Sequence, residues 1–581
     1  MRKQTRLVAV LSTAALLAIG ASMTSFAAQG WAEEDGTWVY YNRDGERATD
    51  KWAKSGNNWY YLDGAGEMAV DTMIEDGDNY YYVDINGVMA SNQWVAIENE
   101  EAGENDQPDQ NWYYFQANGK ALTNGNNTKV ALKTINGKKY AFDEEGKMLW
   151  GWVSAEGTEH IDNTDGNAFL TGDYYFGGSD DGAMATGWMQ MDVTYEGATG
   201  DKSTAPAFNE DEEQSRWFYF QANGKKVKAE GGKEQKEKTI NGKKYAFDEN
   251  GAMTAEWSRD AEEYGKLATS NVATAGTASE ARAAQESQTW RWYQSADDGA
   301  RLNKGWFKVV PAEELDATRY GNDEASWYYA DGSGNLYAGE FKTIKGKKYA
   351  FGNDGRMVNG MKFVRDNSDS LSVKADDDAA APFNTESDFL ANAGAYEKDG
   401  YNFYYFGDGE DGAMKTGKTT LDLDGEKYSF SFETSGSKKG AGVTGEKEDK
   451  LYQSGMLLKA GTDEKYQVVK RSEADGSKAY TKLSDAEAFI KEAGFVEVSD
   501  DQKDAVLKAL KLSKKPEDVK ELYIVGGTLA DGKVTPASYK EYSLVNTSGK
   551  IINSNSKNVD GNDYRYLVEK NVGIKAVYVE N

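Results

Sequence analysis

Aromatic residues recur along the chain in pairs or triplets, each followed by a short Gly-containing run and often by Met. One copy reads WYYLDGAGEM at residues 59–68, and similar copies begin at Tyr80, Trp112 and Trp327. Alternating aromatic residues bounded by Gly, Asn and Asp are typical of strands joined by tight turns. The pattern therefore predicts a series of β-hairpins.

Two periods organise these hairpins. Trp31 and Trp52 are 21 residues apart, as are Trp38 and Trp59, which is the spacing of a stacked array. A longer period repeats TINGKKYAF, found at residues 134–142, again from Thr239 and nearly intact from Thr343, so that blocks of about three hairpins recur. Because one hairpin cannot bury its own apolar face, neighbouring hairpins must stack to form a core.

Four segments interrupt the pattern and predict extended hairpin loops with short helices: 97–110, 191–215, 258–289 and 362–399. After Gly440 the repeat fades, and helix-start signals appear at Ser484 with Glu487, at Ser499 with Gln502, and at Lys515-Pro516. A last hairpin is predicted over 542–552. The predicted fold class is mostly β: an elongated solenoid of stacked β-hairpin repeats with insert loops and a small C-terminal α+β region.

The first residues have the pattern of a secretory signal peptide. Three basic residues precede an apolar run from Leu7 to Ala21, and Ser25 and Ala27 place small residues where a signal peptidase reads them. The alternative, a transmembrane anchor, needs a longer apolar run. We therefore predict cleavage after Ala27, no membrane association of the mature chain, a repeat array over 28–460 and the α+β region over 461–581.

Composition and charge exclude several functions. The chain has 581 residues, 67 Lys and Arg against 96 Asp and Glu, and a formal net charge of −29, so its acidic surface would repel nucleic acid. It has no Cys, which excludes disulfides and thiolate metal sites. The single His160 is predicted to be a solvated loop residue, and the acidic segments 179–182 and 408–412 to be ordinary turns rather than Ca²⁺ sites. No catalytic residue, metal or cofactor is predicted.

The repeat resembles the choline-binding or cell-wall-binding repeat of Gram-positive surface proteins, which is related to the glucan-binding and clostridial toxin repeats. The resemblance covers most of residues 30–440, because many copies agree in residue type and order. It implies a hairpin solenoid that holds a protein on the cell envelope. In choline-binding members of the family, two Trp of one hairpin and a Tyr of the next surround the quaternary ammonium group.

This resemblance carries over onto specific aromatic residues. Aromatic faces attract a poorly hydrated cation, so a group of two or three rings suits choline. Two complete sets are predicted: Trp31, Trp38 and Tyr61, and then Trp52, Trp59 and Tyr82. Three further pairs are expected to lack a third ring, because Lys139 with Ala141, Lys244 with Ala246, or Lys348 with Ala350 would occupy its place; the pairs are Trp94 with Trp112, Trp188 with Trp217, and Trp306 with Trp327.

Other interpretations stay open at this point. In a hairpin array with little aliphatic content, Trp and Tyr can simply be the core. They also stack well on sugar rings, so the partner is either choline-decorated teichoic acid or a cell-wall or extracellular glycan. The predicted function is a non-catalytic secreted protein held non-covalently on the cell surface. The alternatives are a wall hydrolase or glycan-active enzyme with a cryptic catalytic region, and an adhesin or toxin-like receptor-binding array.

Overall fold

The computed structural model describes residues 29–195, 212–231, 235–268, 277–375, 381–474, 477–554 and 556–581. The predicted signal peptide and most of the predicted loop at 191–215 lie outside these residues. The predicted fold class is confirmed, since the chain is 41% strand and 11% helix and consists largely of small antiparallel hairpins. None of the helices in the described ranges is long and apolar enough to cross a bilayer. Contacts divide the chain into two compact units.

The first unit comprises residues 29–195, 212–229 and 250–252 and contains seven antiparallel hairpins among its described residues. Their strands are β1 (Gly30–Glu34) with β2 (Thr37–Tyr41), β3 (Lys51–Ser55) with β4 (Asn58–Leu62), β5 (Thr72–Asp76) with β6 (Asn79–Val83), β7 (Gln93–Glu98) with β8 (Gln110–Phe115), β9 (Lys133–Ile135) with β10 (Lys138–Tyr140), β11 (Trp152–Val153) with β12 (Tyr174–Tyr175), and β13 (Gly187–Val193) with β14 (Gln214–Phe220). A short 3₁₀ helix spans Ala168–Leu170.

The second unit, residues 230–249 and 253–581, begins with four more hairpins. They are β15 (Gln235–Ile240) with β16 (Lys243–Asp248), β17 (Glu256–Arg259) with β18 (Trp290–Tyr293), β19 (Gly305–Val309) with β20 (Ser326–Ala330), and β21 (Glu340–Ile344) with β22 (Lys347–Phe351). Helices α1 (Ala261–Ala268) and α2 (Thr277–Ser287) lie between β17 and β18, and α3 (Ala317–Gly321) lies between β19 and β20. The predicted insert at 258–289 therefore forms helices, as its composition suggested.

Two larger sheets follow the hairpins of the second unit. The first joins β23 (Met361–Asp366), β24 (Leu371–Lys374) and β25 (Asn402–Tyr405) in the order β24-β23-β25, with α4 (Glu386–Lys398) before its last strand. The second contains β26 (Gly417–Leu423), β27 (Glu426–Phe432), β28 (Gly445–Lys447), β29 (Lys450–Gln453) and β30 (Met456–Leu457) in the order β26-β27-β30-β29-β28. The degenerate repeats predicted near 428–456 thus form one sheet rather than separate hairpins.

The C-terminal region is α+β. Its two sheets are β32-β31-β36 and β33-β34-β39-β38-β37, and β35 pairs with β39. The elements are β31 (Tyr466–Ala474), β32 (Ser477–Lys482), α5 (Ala486–Glu492), β33 (Phe495–Glu497), α6 (Asp500–Ala509), a 3₁₀ helix (Pro516–Asp518), β34 (Val519–Val525), β35 (Ala537–Ser538), β36 (Tyr542–Asn546), β37 (Ser556–Val559), β38 (Arg565–Glu569) and β39 (Gly573–Glu580). Helix α5 is capped by Asp485, whose carboxylate accepts the Ala488 N–H at 2.7 Å, and not by the predicted Ser484.

Turn chemistry fixes the register of the hairpins. In the turn between β9 and β10, Asn136 and Gly137 have φ values of 50° and 83°. Both central residues of a type I′ turn need positive φ, and Asn and Gly adopt it most readily. The Asn-Gly pair repeated within TINGKKYAF is therefore the residue pair that closes a tight hairpin.

Neighbouring hairpins are joined by a recurring backbone hydrogen bond. The N–H of Met68, just after the second hairpin, donates to the carbonyl of Trp38 in the first at 2.7 Å, and Met89 donates to Trp59 in the same way at 2.9 Å. In the second unit, Met357 donates to Trp327 at 2.8 Å. The period of the sequence thus corresponds to one stacked hairpin per repeat.

The Gly and Met of each repeat are coupled by packing. Gly87 has φ of +72°, and a Cβ there would lie 2.9 Å from the Cε of Met68, which belongs to the preceding repeat. A side chain at this position would therefore meet both an unfavourable backbone conformation and a steric overlap. This contact explains why a Gly of one repeat accompanies a Met in the repeat before it.

The interior of the array contains one fully buried residue from the end of the second strand, or just after it, in most hairpins. These residues are 0–1% exposed: Leu62, Val83, Phe115, Phe142, Phe176, Phe220, Phe247 and Phe351. Their burial removes an apolar side chain from water in every repeat, which stabilises the stack by roughly 1.5–3 kcal/mol per residue. Each repeat alone would leave this residue exposed.

Asp143, in the turn after β10, is expected to make the stability of the first unit depend on pH. Its Oδ1 accepts the Lys147 N–H at 2.7 Å, but burial outweighs this bond and raises the pKa of Asp143 to about 6. The folded chain therefore holds the proton more tightly than the unfolded chain, whose Asp pKa is about 4. Stability should fall as pH rises from about 4 to about 6, and the loss should persist above that range.

Asp143→Asn tests this expectation, because it keeps the acceptor oxygen and removes the charge. Above pH 6 we expect the variant to be more stable than the parent by about 1–2 kcal/mol, since residual contact with water screens part of the penalty. At pH 3.5 the two proteins should unfold alike in urea. Asp143→Ala also loses the acceptor and should be destabilised at pH 3.5. A constant difference between the parent and Asp143→Asn at all pH values would contradict the assignment.

Candidate functional site

The pairing of β3 with β4 places aromatic rings on a defined face of the second hairpin. Trp52 lies opposite Tyr61, and Lys54 lies opposite Trp59. Residues directly opposite in an antiparallel pair share a face, so Trp52, Trp59 and Tyr61 lie on one face and Tyr60 on the other. The side-chain alternation predicted from the sequence is therefore present.

The ring that each Trp contacts on the following hairpin differs from the prediction. The Trp31 ring lies 5.4 Å from Tyr40 and 5.2 Å from Tyr60. Trp52 repeats this arrangement, with centroid distances of 5.2 Å to Tyr61 and 5.0 Å to Tyr81. Tyr60 and Tyr81 thus meet the preceding Trp where Tyr61 and Tyr82 were expected.

The face on which successive hairpins stack explains the difference. Each hairpin presents the opposite face of its second strand to the Trp of the hairpin before it. The predicted Tyr82 instead packs with its ring 6.1 Å from that of Phe115, and its hydroxyl donates to Asp71. Burial raises the pKa of Tyr82, so this hydroxyl remains a donor. Tyr82 therefore belongs to the packing of the next hairpins.

The same stacking supplies a third ring in two of the three sets where the sequence predicted none. Trp94 lies 4.9 Å from Tyr140, and Trp306 lies 4.9 Å from Tyr349. These tyrosines are the central residues of two of the three Lys-Lys-Tyr-Ala-Phe segments, and the alanines that follow them are fully buried. The prediction of a missing third ring is therefore wrong for Trp94 and Trp306, because the Tyr, and not the flanking Lys or Ala, faces the preceding Trp.

The two Trp of one hairpin meet edge to face in two of the predicted pairs. Trp306 lies 6.3 Å from Trp327 with an interplanar angle of 87°, and Trp188 lies 6.3 Å from Trp217 at 86°. Trp188 also contacts Tyr219 at 5.1 Å. For Trp94 the closest ring on its own hairpin is Tyr114, at 5.1 Å.

Exposure separates these residues from the tryptophans of the core. Trp59 is 40% exposed, and the other eleven predicted site residues are half-buried: Trp31, Trp38, Trp52, Tyr61, Tyr82, Trp94, Trp112, Trp188, Trp217, Trp306 and Trp327. Trp152, Trp257 and Trp290 are only 2–5% exposed. A half-buried ring can pack on one side and receive a ligand on the other, whereas the three buried rings are structural.

Two carboxylates lie at the edges of these aromatic sets and were not predicted. The indole N–H of Trp52 donates to Asp76 at 3.1 Å. The indole N–H of Trp327 donates to Glu410 at 3.1 Å, and the Lys308 ammonium lies 2.7 Å from the same carboxylate. The hydrogen bond from Lys308 and that from Trp327 hold the pKa of Glu410 below its ordinary value, so it remains charged.

These carboxylates make the aromatic sets more attractive to a cation. A negative charge beside aromatic faces adds a Coulomb attraction to the ring quadrupoles. Among the described residues, Asp76 has no Lys or Arg within ion-pair distance, while Glu410 is balanced by Lys308. The set around Trp52 is therefore the one with the more negative surroundings.

His160 does not behave as the predicted solvated loop residue. Its side chain is 10% exposed, and its ring lies parallel to that of Trp150 at 3.9 Å. Its Nδ1 is 2.9 Å from the Trp150 carbonyl oxygen, and its Nε2 is 2.8 Å from Asp106, which also accepts the Asn163 N–H at 2.9 Å. The imidazole therefore fastens the β7–β8 loop to the segment around residue 163.

The two acidic turns are occupied by contacts within the protein. Asp181 pairs with Lys138 at 3.3 Å, and Asp411 pairs with Lys415. In the part of the chain that the structure describes, no three His, Asp or Glu side chains are grouped as a metal ion would need.

Family models match the N-terminal hairpins. A model described as a choline-binding repeat matches residues 28–73, and one described as a cell wall binding repeat matches residues 74–89 and 106–121. These residues include β1 to β6 and the strand β8. The repeats identified from the sequence are therefore of this kind.

Curated and solved proteins are similar to parts of the chain. Glucosyltransferase-S of Streptococcus mutans is 25% identical over 288 residues, which are 43% of this chain and 16% of that protein. Among Streptococcus pneumoniae structures, the modular autolysin LytC with a synthetic peptidoglycan ligand is 18% identical, covering 57% of this chain and 54% of LytC with a TM-score of 0.28. Choline-binding protein F is 16% identical, covering 75% and 100% with a TM-score of 0.21. The chain thus spans about a sixth of the enzyme and about half of the autolysin.

Proposed function

We propose that this protein, which carries choline-binding and cell wall binding repeats between residues 28 and 121, is a non-catalytic secreted protein that attaches to the cell wall by binding choline groups. The observation that carries the proposal is a contact that recurs at four half-buried Trp rings, each of which meets a Tyr of the following hairpin: Trp31, Trp52, Trp94 and Trp306. The choline would be that of teichoic acids, so the repeated sets would give several weak contacts to one polymer.

The chemistry of the sets favours a cation over a neutral ligand. Trp52 with Tyr61 and Tyr81 offers several aromatic faces, and Asp76 adds a carboxylate at the edge. Choline carries a positive charge and methyl groups, which match a carboxylate and aromatic faces respectively. A neutral sugar ring would use the stacking faces and could donate a hydroxyl to Asp76, but it would lack the Coulomb attraction between opposite charges.

Several weak sites on one chain would act together. A cation–π contact contributes roughly 0.5–2 kcal/mol, so a single set would bind choline only modestly. A polymer bearing many choline groups engages the second site at high effective concentration, which raises the overall affinity without any new contact. Stacked hairpins that present one set after another suit this kind of attachment.

The proposed absence of catalysis is supported by the hydrogen bonds and ion pairs that the polar groups described above already make within the protein. Both nitrogens of His160 are hydrogen-bonded, and the acidic turns are paired with lysines. A zymogram on isolated cell walls tests this part of the proposal. Lysis at the position of the purified chain would replace it with the alternative of a wall hydrolase.

Trp52→Ala tests the binding site. We expect choline affinity at this set to fall by a few-fold to about thirtyfold, because one aromatic wall contributes roughly 0.5–2 kcal/mol. Trp52→Phe keeps an aromatic face and should retain most of the binding. Isothermal titration with choline chloride gives the affinity and the number of sites.

Two outcomes would contradict this proposal. Equal binding by Trp52→Ala and the parent would remove Trp52 from the site. If the parent itself ignores choline resin but is retained by immobilised glucan, the aromatic sets bind sugar rings. The exposed Trp59, with Lys54 Nζ 5.7 Å from its ring, would then be the first stacking surface to test.

A further inference from the structure

The second unit contains a cleft that is separate from the aromatic sets. It has a volume of about 880 Å³ and lies among helices α1 and α2, the segment before α3, and the turn that follows β22. Small-molecule sites commonly occupy 300–1,000 Å³. The cleft is thus built largely by segments inserted between the hairpin strands, and its chemistry differs from that of the repeats.

Two of the three arginines that line the cleft are already paired. Arg356 pairs with Asp354 and lies 3.4 Å from Asp316, and Arg319 lies 2.9 Å from Glu324. Because each of these guanidinium groups has a carboxylate partner, they are not available as primary receptors for a bound anion. Their role is to hold the floor of the cleft in place.

Arg259, the third arginine of the cleft, differs from these two in its partners. It is the last residue of β17, and no carboxylate of the described residues lies within ion-pair distance of it. Its guanidinium carbon is 3.8 Å from the ring centroid of Tyr264 and 5.6 Å from that of Trp290. Its Nε is buried and, within the described ranges, has no hydrogen-bond partner.

This arrangement prepares Arg259 to receive a planar anion. A guanidinium stacked on aromatic rings loses little further freedom on binding, and its fork of N–H donors matches the two oxygens of a carboxylate. The terminal N–H groups of Arg259 also have no partner among the described residues and, unlike Nε, are not shielded from solvent, so a ligand oxygen would reach them. The cleft therefore contains a fixed cationic receptor with unused donors.

The remaining polar lining suits hydroxyl groups rather than a second charge. Asn359 and Ser287 border the cleft as neutral hydrogen-bonding side chains, beside the charged residues Glu280, Glu286, Glu314, Asp354 and Lys362. The four carboxylates disfavour a second anionic group on a ligand. A ligand that satisfies such a lining combines one carboxylate with several hydroxyls.

We propose that this cleft binds an acidic sugar residue, a polyhydroxylated ring bearing a carboxylate, with Arg259 receiving the carboxylate. Hydroxyls of the ring would then bind Asn359 and Ser287. The volume leaves room for more than one sugar, so the residue can belong to a longer glycan. This site does not depend on choline binding by the aromatic sets.

The test is isothermal titration of the secreted chain with sodium glucuronate, with glucose and acetate as matched controls. Glucose keeps the ring without the carboxylate, and acetate keeps the carboxylate without the ring. We expect saturable glucuronate binding and at least tenfold weaker binding of each control. Absence of saturable glucuronate binding up to about 10 mM, or equal binding of glucose, would overturn the proposal.

Three variants test whether Arg259 receives the carboxylate of the sugar. Arg259→Gln should weaken glucuronate binding by about ten- to hundredfold, because it removes a charged, two-pronged hydrogen bond. Arg259→Lys keeps the charge but not the fork and should be intermediate. Glu314→Gln removes a like charge and should tighten binding about twofold.

Folding is checked by the near-ultraviolet circular dichroism spectrum and by retention on choline resin in parallel with the parent. If Arg259→Gln is unfolded, Arg259→Lys and Glu314→Gln still decide the matter through their opposite effects. Unchanged glucuronate affinity in both of them would reject Arg259 as the receptor. The choline measurement separates this outcome from failure of the proposed wall-binding function.

Discussion

Replacing Trp257 by alanine should lower the free energy of unfolding of the second unit by about 3–5 kcal/mol, which is the range for a large aromatic side chain removed from a core. Trp257 is 5% exposed. Its ring centroid lies 5.1 Å from that of Tyr328, 5.3 Å from Trp292 and 5.7 Å from Phe307.

A hydrogen bond adds to the loss of stability expected for Trp257→Ala. The indole N–H of Trp257 donates to the Val310 carbonyl at 2.7 Å, so the alanine variant leaves that acceptor without its partner as well as leaving a cavity. Urea unfolding followed by near-ultraviolet circular dichroism measures the change. Trp257→Phe keeps part of the packing and should lose less.

Trp59→Ala is the matched control for this prediction. Trp59 is 40% exposed, so its removal should change stability by less than about 1 kcal/mol. If the two alanine variants unfold at the same urea concentration, the distinction between structural and site tryptophans drawn from their burial is wrong.

Trp306→Ala should weaken choline binding at its own set by a factor near the upper end of a range from a few-fold to about thirtyfold. Trp306 contacts four rings: Trp327 at 6.3 Å, Tyr329 at 5.1 Å, Tyr349 at 4.9 Å and Phe351 at 5.7 Å. Its removal would therefore take away one wall and also release Tyr349. This expectation rests on the proposed choline function.

The sequence alone predicted a much smaller effect for this substitution, because the third ring was expected to be missing. Tyr349→Ala and Tyr349→Phe separate the two possibilities. The alanine variant should weaken choline binding as Trp306→Ala does, and the phenylalanine variant should bind like the parent because it keeps the ring. If neither Trp306→Ala nor Tyr349→Ala changes the titration, the set around Trp306 serves packing only.

The hydrogen bond between Trp327 and Glu410 allows a further test of choline binding at the set around Trp306. Glu410→Gln keeps a hydrogen-bond acceptor for the indole N–H and removes the negative charge. We expect a modest loss of choline affinity, because Lys308 already balances this carboxylate. The loss should shrink at high salt, which screens an exposed charge.

Much of the fold followed from local chemistry. The Asn-Gly pairs fixed the hairpin turns, because only residues that accept positive φ can occupy both central positions. The spacing of Gly and Met followed from direct packing of one repeat on the next. The alternation of Trp59, Tyr60 and Tyr61 predicted which rings share a face. The turns and the alternation depend on residues close together in the chain, so the sequence determines them, whereas the Gly–Met contact joins two repeats and needed the structure.

Contacts between repeats needed the tertiary structure. Whether Tyr60 or Tyr61 meets Trp31, and whether Tyr140 or one of its neighbours meets Trp94, depends on which face one hairpin presents to the next. No local period encodes that choice. Partners distant in sequence, such as Glu410 for Trp327, likewise depend on how the chain returns to the same place.

Burial of equivalent tryptophans was also decided by the three-dimensional arrangement. Trp152 and Trp257 occupy the same place in the repeat as Trp52, yet both are buried while Trp52 is half-buried. The segment that follows β11 packs Phe169 into the same core as Trp152, and the segment that follows β19 brings the Val310 carbonyl to Trp257. The sequence by itself determined that each hairpin carries a Trp at this position. Whether that ring faces solvent or core depends on which inserted segment folds over it, and such long-range packing exists only in the folded chain.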